Sequence, residues 1–133
     1  MNRQKISILI TTKNRLEDLV YTLHKIQHLI EKTDVECVIF DDGSSDETTQ
    51  FITVNYPKIT LHTNKISKGY LYCRNKMLNE TRADFAISLD EDSHYETEQP
   101  LELIANYFDK NPKVGLLGFR VFWSKQNPSS IFS

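Results

Sequence analysis

Short apolar runs, Ile6–Ile10, Val35–Phe40 and Ala83–Leu89, alternate along this chain with segments of helical periodicity. Runs of that length suit strands rather than helices, and their near-continuous apolar character suits strands covered on both faces. A chain that alternates strand and helix in this way is confined to a mostly parallel sheet with helices on both faces. The predicted fold class is therefore α/β, an open and mostly parallel sheet.

The periodicity fills in the rest. A first helix begins at Asn14, with Glu17 as a capping-box partner, and carries Leu16, Leu19, Val20, Leu23, Ile26 and Ile30. Ser44 with Glu47 repeats that spacing and opens a second helix, which Pro57 stops. Ile59–His62 reads as a short third strand, and Gly69 opens a helix holding Leu71, Met77 and Leu78. Ala83–Leu89 is then the fourth strand. Pro100 starts a helix holding Leu101, Ile104 and Phe108, and Val114–Phe119 is a predicted fifth strand. Residues 1–123 form one expected domain, and 124–133 an irregular tail.

In open sheets of this kind ligands bind outside the carboxyl ends of the strands. There the first strand ends in Thr11-Thr12, the second in Asp41-Asp42 and the fourth in Asp90-Glu91-Asp92. Composition narrows the ligand. A net charge of −2 offers no basic face for nucleic acid, so none is expected as a partner. No apolar run reaches the roughly 20 residues of a transmembrane helix. Cys37 and Cys73 have neither disulfide-framework nor metal spacing and read as buried free thiols, which places the chain in the cytoplasm.

Three consecutive carboxylates at a strand end repel one another, and a divalent cation is the usual offset. In an extended segment Asp90 and Asp92 would leave on the same side, about 6.5–7 Å apart. Oxygen-only ligands favour Mg²⁺ or Mn²⁺ over zinc and leave positions for waters and substrate phosphates. An acidic turn that merely caps its loop is the plainer alternative. Asp41-Asp42-Gly43-Ser44 has a similar pair of readings. Capping through a glycine turn explains Gly43 and Ser44, while a second acid suggests contacts to a nucleobase or ribose. Arg74 is either a diphosphate fork or a solvated surface residue. Tyr70 and Tyr72 read as packing residues, and His94 as a solvated loop residue outside the core assignment.

In order along the chain stand Ile8-Leu9-Ile10-Thr11-Thr12-Lys13-Asn14-Arg15, Asp41-Asp42-Gly43-Ser44-Ser45-Asp46-Glu47-Thr48, Asn64 followed by Gly69 and Arg74-Asn75, and Leu89-Asp90-Glu91-Asp92. This set resembles the GT-A glycosyltransferases of family 2, over residues 6–120. The resemblance implies a Rossmann-like GT-A fold and inverting transfer of a sugar from a nucleotide-diphosphate sugar to an acceptor hydroxyl on a glycan, lipid or protein. It implies a nucleotide-sugar site of Thr11, Lys13, Asp42, Arg74, Asp90 and Glu91, and Mn²⁺ or Mg²⁺ on Asp92 with Asp90. Position 13 is often Tyr in the family, and Lys13 cannot stack on a base. The carboxylate that deprotonates the acceptor lies well downstream of the metal motif, so no catalytic base is assigned. The chain reads as a donor-binding half, cytoplasmic and able to lie peripherally at a membrane. Rival readings are a non-catalytic nucleotide-sugar or partner-binding module and a haloacid-dehalogenase-type phosphotransferase with Asp90 as nucleophile. A receiver domain fails on motif order.

Overall fold

The computed structural model describes residues 4–122, and the predicted tail at 124–133 lies outside them. Two compact units divide the chain after Leu101. The first contains β1 (Ile6–Thr12), α1 (Leu16–Ile30), β2 (Val35–Asp41), α2 (Thr48–Asn55), β3 (Thr60–Thr63), α3 (Tyr70–Glu80) and β4 (Phe85–Asp90). The four strands form one sheet in the order β3-β2-β1-β4, and every neighbouring pair is parallel. β1 is therefore an inner strand, and each of its residues is buried, as a strand covered on both faces requires.

Register decides what meets at the carboxyl edge. Thr11 lies between Phe40 and Asp90, and Thr12 lies beside Asp41. Both acidic strand ends thus flank the end of β1, one on each side. Period-two alternation puts Leu9 and Thr11 on one face with Val38 and Phe40, their partners in the ladder. On that face Leu9, Phe40, Cys73 and Met77 form a buried cluster, which seats α3. The helices α1 and α3 differ in how they are held. In α1 Leu19, Leu23, Ile26 and Leu29 are all buried, each worth about 1.5–3 kcal/mol against exposure. In α3 only Cys73, Arg74 and Met77 are buried, while Leu71 and Leu78 are exposed. α3 therefore depends more on how its N-terminus is tied down.

Neither predicted capping box forms. α1 starts at Leu16 after Arg15, with no side-chain cap, because Asn14 takes φ 52° and faces elsewhere. α2 starts at Thr48 rather than at Ser44, since the 44–45 amides are used by other acceptors and Asp46 accepts from Thr48 N–H.

The second unit holds most of α4 (Pro100–Lys110), with Glu102 in its first turn and Lys110 in its last. Val114 N–H donates to the Asn111 carbonyl at 3.0 Å, closing the chain after the helix. The predicted fifth strand at Val114–Phe119 does not form. The segment is irregular, and Leu116 is 90% exposed. A strand needs a neighbour's ladder and a surface for its side chains, and Gly115 and Gly118 weaken the local preference further.

Candidate functional site

The Asp41-Asp42 strand end is a closed hydrogen-bonded knot. Asp41 Oδ1 accepts the Ser44 N–H at 3.0 Å and Oδ2 accepts the Thr49 hydroxyl at 2.9 Å. Asp42 accepts four bonds from the segment leading into α3. Oδ1 takes Asn64 Nδ2 at 2.9 Å and Lys68 N–H at 2.8 Å, while Oδ2 takes Ser67 Oγ at 2.7 Å and Gly69 N–H at 2.9 Å. Burial pushes the Asp42 carboxyl up, but the bonds from Asn64, Lys68, Ser67 and Gly69 outweigh it and hold it well below the usual carboxylate range. Gly43, at φ 83°, lets the loop approach, since a Cβ there would stand 3.1 Å from Ser67 N. The helix-capping reading of this pair is not what forms, since α2 has no side-chain cap and Asp42 bonds to residues 64–69 instead. Asp42 anchors the N-terminal end of α3.

The Asp90-Glu91-Asp92 end is open. β4 stops at Asp90, and Ser93 N–H donates to the Asp90 carbonyl at 3.1 Å, closing a turn over residues 90–93. The extended geometry expected for Asp90 and Asp92 is therefore lost, and the two carboxylates meet different partners. Asp90 is 3.7 Å from Arg74 Nη2, an ion pair beyond hydrogen-bond range, with its side chain 60% exposed. Asp92, 46% exposed, lies 3.4 Å from Arg15 Nη2. Glu91 faces Arg15 Nε at 3.7 Å, and its carbonyl accepts the buried Thr22 hydroxyl at 2.6 Å. Burial pushes the Glu91 carboxyl above its usual range, with Asp92 and Asp90 adding to the shift and Arg15 opposing it.

Arg74 is the unusual member. It is 7% exposed, and among the described residues none of its three guanidinium nitrogens has a hydrogen-bond partner. Its guanidinium carbon stands 4.7 Å from the Tyr70 ring centroid, a cation–π contact. A buried cation without acceptors is costly, so structures rarely keep one without a use. Thr11, on the same sheet face and paired in register with Asp90, also has a buried hydroxyl lacking a partner. Ser88 and Asp90 are exposed on that face of β4. Lys13 is exposed in the turn after β1.

Of the sequence-derived site residues, Thr11, Arg74 and Asp90 are brought together. Glu91 and Asp92 turn toward Arg15, and Asp42 serves the α3 loop. Arg15 and Tyr70 carry roles that motif spacing alone did not assign. Spacing on a helix face, Tyr70 to Arg74 and Arg15 to Asp18, was the signal available for both.

For a divalent cation the donor set fits in kind. Asp90 and Asp92 are hard oxygen ligands with exposed carboxylates, suited to Mg²⁺ or Mn²⁺. No cluster of three His, Cys, Asp or Glu residues among the described residues would enclose an ion. These two acids would leave most positions to water and phosphate oxygens.

A parallel α/β sheet with its polar groups gathered where β1 meets β2 and β4 defines a class, the GT-A glycosyltransferase fold. Residues 7–130 match glycosyl transferase family 2, and the chain belongs to that family. It is 29% identical over 115 residues to a poly-beta-1,6-N-acetyl-D-glucosamine synthase of Staphylococcus epidermidis, covering 83% of this chain and 27% of that protein. Among solved structures, S. aureus TarS residues 1–349 superpose with TM-score 0.71 at 20% identity, over 98% of this chain and 44% of theirs. A mannosyltransferase of Pyrobaculum calidifontis, in complex with GDP-Man and Mn²⁺, gives TM-score 0.67 at 17% identity, over 81% and 33%. The chain thus spans less than half the length of each of these proteins. No helix among the described residues is long and apolar enough to cross a membrane.

Proposed function

We propose that this chain is the donor-binding part of an inverting family 2 glycosyltransferase, which passes a sugar from a nucleotide-diphosphate sugar to an acceptor hydroxyl. One observation carries the reading: the buried Arg74 guanidinium, without a hydrogen-bond partner among the described residues, stands 3.7 Å from the exposed Asp90, which pairs in register with Thr11. A diphosphate supplies the paired oxygen acceptors that a guanidinium fork matches, and its charge suits a buried cation whose nitrogens lack hydrogen-bond acceptors. Tyr70 holds the fork in place, and Thr11 donates its hydroxyl to the same ligand. Asp90 and Asp92 would hold Mn²⁺ or Mg²⁺, which when bound neutralises charge developing on the leaving diphosphate. Lys13 adds a cation at the mouth of the site, and Glu91 lies toward the ribose side. Asp42 contributes by fixing the loop that carries Gly69 into α3, and reaches a base only at the expense of one of its four bonds. The free, buried Cys37 and Cys73 suit a reducing, cytoplasmic setting.

Polysaccharide or glycoconjugate assembly is the role we infer, in line with relatives named as a poly-beta-1,6-N-acetyl-D-glucosamine synthase and a mannosyltransferase. The phosphotransferase reading needs its nucleophile after the first strand of the domain, whereas Asp90 ends β4 at the sheet edge. Calorimetric titration of UDP, GDP and their sugars with and without Mn²⁺ tests the proposal. Metal-dependent binding that Asp92→Ala removes is the expected result. The absence of binding to any nucleotide with metal present would end it. A turnover assay with the same donors separates transferase from binding module.

A further inference from the structure

The turn after β1 touches both acidic strand ends. Asn14 reaches one side: its N–H donates to Ser44 Oγ at 2.8 Å, and its Oδ1 accepts the Ser45 N–H at 2.7 Å. Arg15, the next residue, reaches the other. Its Nη2 and Nε lie 2.8 and 3.1 Å from Asp18 Oδ2, and Nη2 also lies 3.4 Å from Asp92 Oδ2. The guanidinium therefore sits on two carboxylates at once. Asp18, one turn into α1, is the tighter, and Asp92 the looser. Arg15 is 48% exposed, so water can replace the looser contact when it breaks.

We propose that Arg15 is a resident cation of the acidic triplet, which competes with a divalent ion for Asp92 and so sets the affinity for that ion. The proposal rests on the reading that Asp92 binds the metal. Its physical basis is simple. A guanidinium and a divalent cation on one carboxylate repel each other, and a carboxylate oxygen already used by Arg15 is a poorer ligand. The Arg15–Asp92 contact is long and half exposed, so it is weak enough to yield. Arg15 then keeps its bonds to Asp18 and loses little. The backbone of the triplet need not move, because Thr22 holds the Glu91 carbonyl at 2.6 Å and the Ser93 N–H closes the turn on Asp90. The exchange is a side-chain event on a fixed frame. Each acid of the triplet faces a guanidinium: Arg74 faces Asp90, while Arg15 faces Glu91 and Asp92.

The test is a titration of Mn²⁺ into the nucleotide-free chain, followed by loss of the free-ion electron paramagnetic resonance signal. Arg15→Gln should bind Mn²⁺ roughly three- to tenfold more tightly than the wild type, the size expected for removing one cation at a half-exposed site. Arg15→Lys keeps the charge and should stay near wild type. Asp18→Asn removes the tighter seat, turns Arg15 onto Asp92 and should weaken Mn²⁺ binding by a similar factor. If wild type binds and Arg15→Gln is no tighter, Arg15 is not a competitor, and the metal role of Asp92 stands without it. If wild type and Asp92→Ala are alike in failing to bind, both readings fall.

Discussion

The two acidic strand ends of this molecule lie at the same edge of the same sheet, yet their carboxylates are satisfied in opposite ways. Asp41 and Asp42 are buried, and Asp42 has all four of its bonds supplied by one loop. Asp90 and Asp92 are exposed, and among the described residues each carboxylate has a long contact to an arginine. A carboxylate whose lone pairs are filled by its own chain organises structure. One that faces solvent with a weak partner is available to a ligand. Residue type sets the charge, but hydrogen-bond saturation sets the use.

The sharpest way to break this contrast is Asp42→Ala. It orphans the amides of Lys68 and Gly69, the Ser67 hydroxyl and the Asn64 amide together, and should cost about 3–5 kcal/mol in denaturant unfolding. A loss under about 1 kcal/mol would mean that the knot is not structural. Arg74→Met comes next. It removes the buried guanidinium, so nucleotide affinity should fall more than tenfold, about 1.4 kcal/mol or more, while folding stability stays level or rises. A fall in stability of the same size would show instead that Arg74 supports the fold.

The pH dependence of unfolding sharpens the contrast further. Asp42 has its carboxyl lowered in the folded state, so its contribution is complete above its unfolded value near pH 4 and is lost as pH falls through the folded value. Asp42→Asn should therefore flatten the acid side of the stability profile. Glu91 runs the other way. Its carboxyl is raised, so its contribution is complete below the unfolded value and fades as pH rises through the folded one. The smallest effect belongs to Asp92→Ala, which should change stability by no more than about 0.5 kcal/mol, the usual range for an exposed ion pair. A cost above that would move Asp92 toward the architectural side.

Much of this was legible along the chain. Period-two and helical patterns placed four strands and the intervening helices to within a few residues, because burial on both faces leaves a strong apolar signal in β1 and β2. Local rules failed where the partner was distant. Asn14 and Glu17 have capping-box spacing, but Asn14 bonds to Ser44 and Ser45. Val114–Phe119 has strand composition, yet no ladder receives it among the described residues.

The amino-acid sequence by itself determined that the sheet is parallel and that its polar residues gather at the carboxyl ends of β1, β2 and β4. Spacing and apolar pattern are local properties, and they suffice for that. Only the tertiary structure decided which acids are occupied. The bonds from residues 64–69 to Asp42, the turn that parts Asp90 from Asp92, and the seating of Arg15 and Arg74 all join segments far apart in the chain. Such contacts depend on register and on the path of a loop, and no local pattern encodes them.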